Sequence, residues 1–148
     1  MSSQQQVIPE VLTFHIGDFV IGVEISRIEQ VMLLRDNVVE LPRTPKFILG
    51  AISDGDRLIP LVDLATFLDL RPPKEEFGLT SNAILVTMDQ FVYGLYSDDI
   101  PQKLEEIPVN PQGEVPEQIP KPWIQSTLDM DGQSIYLINP DQLWQSLQ

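Results

Sequence analysis

The amino-acid sequence predicts a mainly β protein built from two similar subdomains, and three observations carry that prediction. Phe19-Val20-Ile21-Gly22-Val23 recurs 72 positions on as Phe91-Val92-Tyr93-Gly94-Leu95, with Ile28 falling on Ile100 at the same spacing. At an offset of 76, without a gap, Phe47 matches Trp123, Ile48 matches Ile124, Ile52 matches Leu128, and Ile59, Leu61 and Val62 match Ile135, Leu137 and Ile138. The same offset carries Asp63 onto Asn139 and Phe67 onto Leu143, so a capping residue and an apolar stripe recur with the strands. Consecutive echoes in the order A-B-A′-B′ imply an internal duplication.

Each element follows from local chemistry. Val11 to Val23 alternates apolar, β-branched and aromatic residues around Gly17-Asp18, the pattern of a hairpin. Ile25, Ile28 and Val31 continue in a strand-like or briefly irregular segment up to Arg35-Asp36-Asn37. Val38 to Leu41 reads as a short strand, ended by Pro42 and Pro45, which cannot donate to a ladder. Ser53-Asp54-Gly55-Asp56 lies between two apolar runs as a tight turn, with Leu58 to Val62 as the returning strand. Asp63 is placed to cap a short helix whose Leu64, Phe67 and Leu68 form an i, i+3, i+4 stripe, stopped by Arg71-Pro72-Pro73.

The second half repeats this syntax. Ala83 to Val86 and Phe91 to Tyr96 bracket Met88-Asp89-Gln90, and Asp131-Gly132 turns the chain before Ile135 to Ile138. Asn139 then caps, Pro140 takes the first helical position, and Leu143, Trp144 and Leu147 supply the apolar face. Between the halves, residues 101–122 carry six of the 13 prolines and predict an irregular, mobile crossing with extended pieces. The expected organisation is a flexible N-terminus over residues 1–10 and one domain over 11–148, with core segments at about 11–70 and 83–148.

Composition narrows function. Nine basic against 22 acidic residues give a net charge of −13, which repels phosphate backbones and anionic headgroups, so neither nucleic acid nor membrane insertion is expected. No apolar run approaches the ~18 residues that span a bilayer, and Met1 to Gln6 lacks the features of a secretory signal. With no cysteine there is no disulfide, thiol nucleophile or thiolate metal site, and the expected location is the cytoplasm.

Reactive constellations are missing too. His15 alternates on a strand face with no nucleophile signature to pair with it, and the eight glycines are scattered and form no phosphate loop. Asp54 and Asp56 resemble the start of a calcium loop but lack its third ligand and closing Glu. The pairs Asp98-Asp99 and Glu105-Glu106 read as solvated edges, and Trp123 and Trp144 as core. The sequence therefore predicts no enzyme, no cofactor and no metal, but a protein that works by contact.

Leu41-Pro42, then Phe47-Ile48-Leu49-Gly50-Ala51-Ile52, then Arg57-Leu58-Ile59-Pro60-Leu61-Val62-Asp63-Leu64, with Ile135 to Asn139 closing the second half, resemble the CheW-like domain of bacterial chemosensory systems. The resemblance runs from about Val11 to the end. It implies two intertwined five-stranded barrels of SH3-like type and a non-enzymatic adaptor joining a chemoreceptor's cytoplasmic hairpin to the regulatory domain of a histidine kinase, in chemotaxis, phototaxis or twitching motility. The chain departs from the family pattern where Gly55 and Asp56 stand in place of Arg-Gly, and where Gln30 stands at a position usually acidic, with Glu29 beside it.

The residues expected to touch partners are Ile28, Gln30, Val31, Leu41, Pro42 and Ile52, with Gly55, Asp56 and Arg57 of the turn. An interface of this kind needs roughly 800 Å² per partner. Two other readings stand beside the adaptor. One is an assembly or inhibitory subunit that binds a single usual partner, kept alive by Gly55 in place of Arg. The other is a small-ligand binder using a cleft lined by Asp98, Asp99 or Asp131.

Overall fold

The computed structural model describes residues 5–148. Its strands are β1 (Val7–Ile16), β2 (Phe19–Glu24), β3 (Ile28–Leu33), β4 (Val38–Val39), β5 (Ile48–Asp54), β6 (Arg57–Val62), β7 (Asn82–Met88), β8 (Phe91–Ser97), β9 (Gln102–Pro108), β10 (Ile124–Met130) and β11 (Gln133–Ile138). Two short helices, α1 (Leu64–Phe67) and α2 (Pro140–Ser146), each follow the closing strand of a hairpin. The strands form two curled sheets, of order β10-β11-β2-β1-β9 and β3-β7-β8-β6-β5-β4. The expected mainly β class with two subdomains is therefore what the chain adopts. One count differs: the second sheet has six strands, because two-residue β4 pairs with Ala51 and Ile52 at its edge.

The chain divides into two compact units. Among the described residues, one comprises 5–14, Asp18–Arg27 and Pro101–Gln148, and the other His15–Gly17 and Ile28–Ile100. The sequence echoes map strand for strand, since the 72-residue offset carries β2 onto β8, and the 76-residue offset carries β5, β6 and α1 onto β10, β11 and the start of α2. Yet β2 pairs with β11 and β8 with β6, both in parallel. Parallel neighbours cannot be joined by a hairpin, so each takes its partner from a segment beyond its own hairpin. The registers agree as well: Leu137 lies opposite Gly22 in one unit, and Leu61 opposite Gly94 in the other.

Those two glycines are where each core closes. A Cβ on Gly22 would stand 2.8 Å from Val11 Cγ1 and 3.0 Å from Ile135 Cγ2. Val11, Ile135 and Leu137 belong to the buried cluster completed by Ile8, Ile107, Val109 and Leu128. A Cβ on Gly94 would meet Ile52 Cδ1 at 3.1 Å and Leu85 Cδ2 at 3.2 Å, both in the cluster of Leu34, Ile59, Leu61, Ala83 and Tyr96. The missing side chain on a central strand lets the branched residues of neighbouring strands fill the interior.

The capping predictions hold. The buried Asp63 carboxylate accepts from Ala65 N at 3.2 Å and from Thr66 Oγ1 at 2.8 Å, and Asn139 Oδ1 accepts from Asp141 N and Gln142 N at the start of α2. Three local expectations change. The turn after β5 is tighter than Ser53 to Asp56, because Ser53 and Asp54 pair with Leu58 and Arg57 and leave Gly55-Asp56 as the tip, with Gly55 at φ 62°. The predicted irregular crossing contains seven-residue β9, which backbone pairing with β1 orders although its residues alternate poorly. Of the N-terminus expected to be flexible, residues 1–4 lie outside the described residues, whereas Val7 onward is strand and Ile8 is buried in the core.

An ionic network pins residues 68–81 to the second unit. Arg71 donates to the Asp63 carboxylate at 2.8 Å and lies 5.2 Å from the Tyr96 ring centroid, while Lys74 Nζ stands 3.2 Å from Asp98 Oδ1. The Tyr96 hydroxyl donates to Asp98 Oδ1 at 2.8 Å and lies 2.9 Å from Ser81 Oγ. Burial, with the neighbouring Asp98 carboxylate adding to it, pushes the Tyr96 pKa up to about 12.

Two predictions follow from this packing. Gly22→Ala forces branched side chains apart and costs about 1–3 kcal/mol of stability. Gly55→Ala adds a Cβ that meets nothing within 4 Å and carries only left-handed backbone strain, about 1 kcal/mol. Equal losses in urea unfolding would refute the packing role given to Gly22. For Tyr96, the unfolded phenol loses its proton near its ordinary pKa and the folded one only near 12. Stability therefore falls as pH rises from about 10 to 12, by up to roughly 2 kcal/mol. Tyr96→Phe should flatten that slope, and an unchanged slope in alkaline unfolding curves would contradict it.

Candidate partner-binding site

The β3–β7 register shifts between Ile28 and Gln30, leaving Glu29 at a bulge. Its carboxylate meets Arg57, the first residue of β6, through both guanidinium nitrogens: Nη1 donates to Oε2 at 3.1 Å and Nη2 to Oε1 at 2.7 Å. Arg57 Nη2 also donates to Asp54 Oδ2 at 2.5 Å, across the Gly55-Asp56 tip. The cluster thus ties edge strand β3 to the β5–β6 hairpin. The hydrogen bonds from Arg57 hold the Glu29 carboxyl below the usual carboxylate range. Exposed ion pairs contribute only about 0–1 kcal/mol to stability, so this one matters chiefly for the geometry a planar, two-bond pairing imposes.

Apolar surface lies near these charges along the chain. Val31 and Leu33 of β3 are 42% and 47% exposed, and Leu58, next to Arg57, is 62% exposed. Side chains two apart on a strand share a face, so Val31 and Leu33 present one apolar stripe. Gln30 is exposed beside Glu29. A charged rim next to exposed aliphatic residues is suited to protein contact.

The predicted site residues divide. Gln30, Val31, Gly55, Asp56 and Arg57 belong to β3 and the hairpin that the Glu29–Arg57 pair joins. Ile28 is half-buried opposite Val86. Leu41 and Pro42 line a different recess of about 470 Å³ with Lys46, Leu49 and Pro73. Ile52 is 0% exposed in the core, and its neighbour Ala51 is buried too, so β5 offers a partner no surface there. Asp54, Leu33 and Leu58 were missed. Glu29, which meets the hairpin, sits at a bulge that hydrophobic periodicity does not reveal.

Of the acids considered for a ligand cleft, Asp98 and Asp99 line a recess of about 230 Å³ with His15, Asp63, Leu70 and Arg71. Asp131 sits in the β10–β11 turn of the other unit. The recess is smaller than most ligand sites, which run to roughly 300–1,000 Å³. Burial alone would raise the Asp98 pKa, but the Tyr96 hydroxyl, Arg71 and Lys74 together hold it below its usual value. That is the signature of a structural ion pair, and not of a proton donor. No helix among the described residues is long and apolar enough to cross a membrane.

Comparison with known proteins identifies the family. The chain is 28% identical over 109 residues to Protein FrzA of Myxococcus xanthus, an alignment covering 74% of the chain and 66% of the length of FrzA. Its fold superposes on the crystal structure of the scaffolding protein TtCheW from Thermoanaerobacter tengcongensis with a TM-score of 0.74 and 20% identity, over 94% of this chain and 89% of that one. The family model of the CheW-like domain matches residues 10–148. With its duplicated β architecture and a match to the family model over nearly the whole sequence, the chain belongs to the CheW-like domain family.

Proposed function

We propose that the protein is a non-enzymatic adaptor that couples a chemoreceptor's cytoplasmic hairpin to the regulatory domain of a histidine kinase in a chemotaxis-type pathway governing motility. Membership of a family of scaffolding adaptors supports the general role. The observation that carries the finer reading is the Glu29–Arg57–Asp54 cluster beside exposed Gln30 and Val31. The family pattern has its turn arginine at the position of Gly55 and its acid at that of Gln30. Here the cation stands two residues later and the acid one residue earlier, and the two meet in a two-bond pair. A charged, planar feature therefore remains at the end of this sheet, as an interface choosing among related partners requires.

This relocation also weighs against the reading of a subunit that has lost one partner. Gly55 is a substitution in the turn, yet Glu29 is not left without a cation. The recess at Asp98 and Asp99 supports a small-ligand role less well, because Arg71 and Lys74 already neutralise Asp98.

Calorimetric titration of the full chain with the kinase regulatory domain and, separately, with the receptor hairpin tests the proposal. Both should bind saturably without nucleotide or metal. Arg57→Glu should weaken kinase binding by about tenfold or more and leave the receptor affinity and the fold unchanged; no binding to either partner, or equal affinity of variant and wild type for both, would refute the proposal. Gly55→Arg should change either affinity less than about threefold, because Glu29 is already paired. A tenfold gain in that variant would instead favour the one-partner subunit.

A further inference from the structure

We infer that Asp131-Gly132, at the tip of the β10–β11 hairpin, is a site of covalent self-modification at which aspartate converts to isoaspartate, and that Arg57 protects the chain's other Asp-Gly pair, Asp54-Gly55, from the same reaction. This site goes beyond the adaptor reading, which does not depend on it.

The chemistry is intramolecular. In an Asp-Gly pair the glycine nitrogen can reach the aspartate Cγ through a five-membered ring, and the glycine has no side chain to hinder the approach. Attack by that nitrogen on the protonated carboxyl forms the N–Cγ bond, releases the amide proton and expels the hydroxyl as water, leaving a succinimide. Groups already held side by side need no encounter in solution. Water then adds to one of the two ring carbonyls. Opening at Cγ restores aspartate, whereas opening at the main-chain carbonyl carbon routes the chain through Cγ and gives isoaspartate. One water leaves and one returns, and nothing is oxidised or reduced.

Local structure separates the two pairs. Asp131 and Gly132 have φ of 51° and 86°, the positive angles of a two-residue hairpin turn. Both are exposed, and a Cβ on Gly132 would meet nothing within 4 Å. Among the described residues the Asp131 carboxylate makes no hydrogen bond or ion pair, and the Gly132 amide donates to no backbone carbonyl. Nothing therefore holds the side chain away from the nitrogen beside it. The tip at Gly55 is as open, with φ 62° and no atom within 4 Å of a Cβ. Asp54 differs in its carboxylate, whose Oδ2 accepts from Arg57 Nη2 at 2.5 Å, while Arg57 is itself held by Glu29 at 2.7 Å. That bond must break before Cγ can move onto Gly55 N. The product at Asp131 keeps one carboxylate but adds a methylene to the main chain between Met130 and Gln133, the pair that closes the hairpin. Met130 packs against the core of its unit, so the lengthened turn reaches the interior.

The test is to age the full chain at neutral pH in water enriched in heavy oxygen, digest it in ordinary water, and read both Asp-Gly peptides by mass spectrometry with electron-transfer fragmentation, which distinguishes isoaspartate from aspartate. Heavy oxygen and isoaspartate should accumulate at Asp131 at least about tenfold faster than at Asp54. In urea, where the Arg57 contact is gone, the two sites of the wild-type chain should react within about threefold of each other. Asp131→Ser should abolish the signal at the β10–β11 tip and leave the rate at Asp54 unchanged. Arg57→Gln, with a wild-type amide spectrum showing that it is folded, should bring Asp54 to within about threefold of Asp131. The inference fails if the folded chain stays unlabelled at Asp131 while the urea-unfolded chain is labelled, if Asp54 and Asp131 react equally fast in the folded wild type, or if Asp54 remains protected in folded Arg57→Gln.

Discussion

Close packing onto a glycine in the middle of a strand is the constraint on which both units rest. At Gly22 and Gly94 the backbone is approached by branched side chains from neighbouring strands, at distances where any Cβ would collide or be squeezed. A sheet that curls over its own core must let inward-facing side chains converge, and a missing Cβ on the central strand gives them room. The recurrence of this glycine at the same register, opposite Leu137 in one unit and Leu61 in the other, marks the duplication more firmly than the apolar matches around it. Aliphatic residues exchange freely in a core, but a glycine so closely approached does not.

The two units also exchange segments. Each repeat carries a strand whose parallel partner comes from a later or earlier repeat segment, so neither unit corresponds to one continuous half of the chain. Long-range pairing of this kind is slow to form because the loop-closing entropy precedes any gain from contacts. It also leaves strands such as β3 and β9 at sheet edges. An exposed edge invites further pairing unless it is charged or otherwise blunted. Glu29, Glu105 and Lys103 sit on these edges, with Lys103 2.8 Å from Glu10.

Much of the fold was legible in the sequence because its signals are local. Asp63 and Asn139 announce helix starts by their side-chain chemistry, and both cap as expected. Strand β9 was not legible: Gln102, Lys103, Glu105 and Glu106 carry no alternation, and the strand exists because β1 supplies its hydrogen bonds. The candidate site was legible only in part, for the same reason. Gln30, Val31 and Arg57 were named from the family pattern, but Glu29, which pairs with Arg57, sits at a bulge that no periodicity reveals. Ile52 failed as a contact residue because covering of both faces of a strand is a tertiary fact.

What remains is a molecule whose interior is fully engaged in holding two sheets, with its chemistry at the surface. Hydrogen–deuterium exchange of the full chain, with and without the kinase regulatory domain, tests that account most directly. Slowed exchange should fall on Glu29 to Val31 and on the Asp54 to Leu58 turn, with the recess at Asp98 and Asp99 unchanged. Protection confined to that recess, or absent from both β3 and the turn, would contradict it.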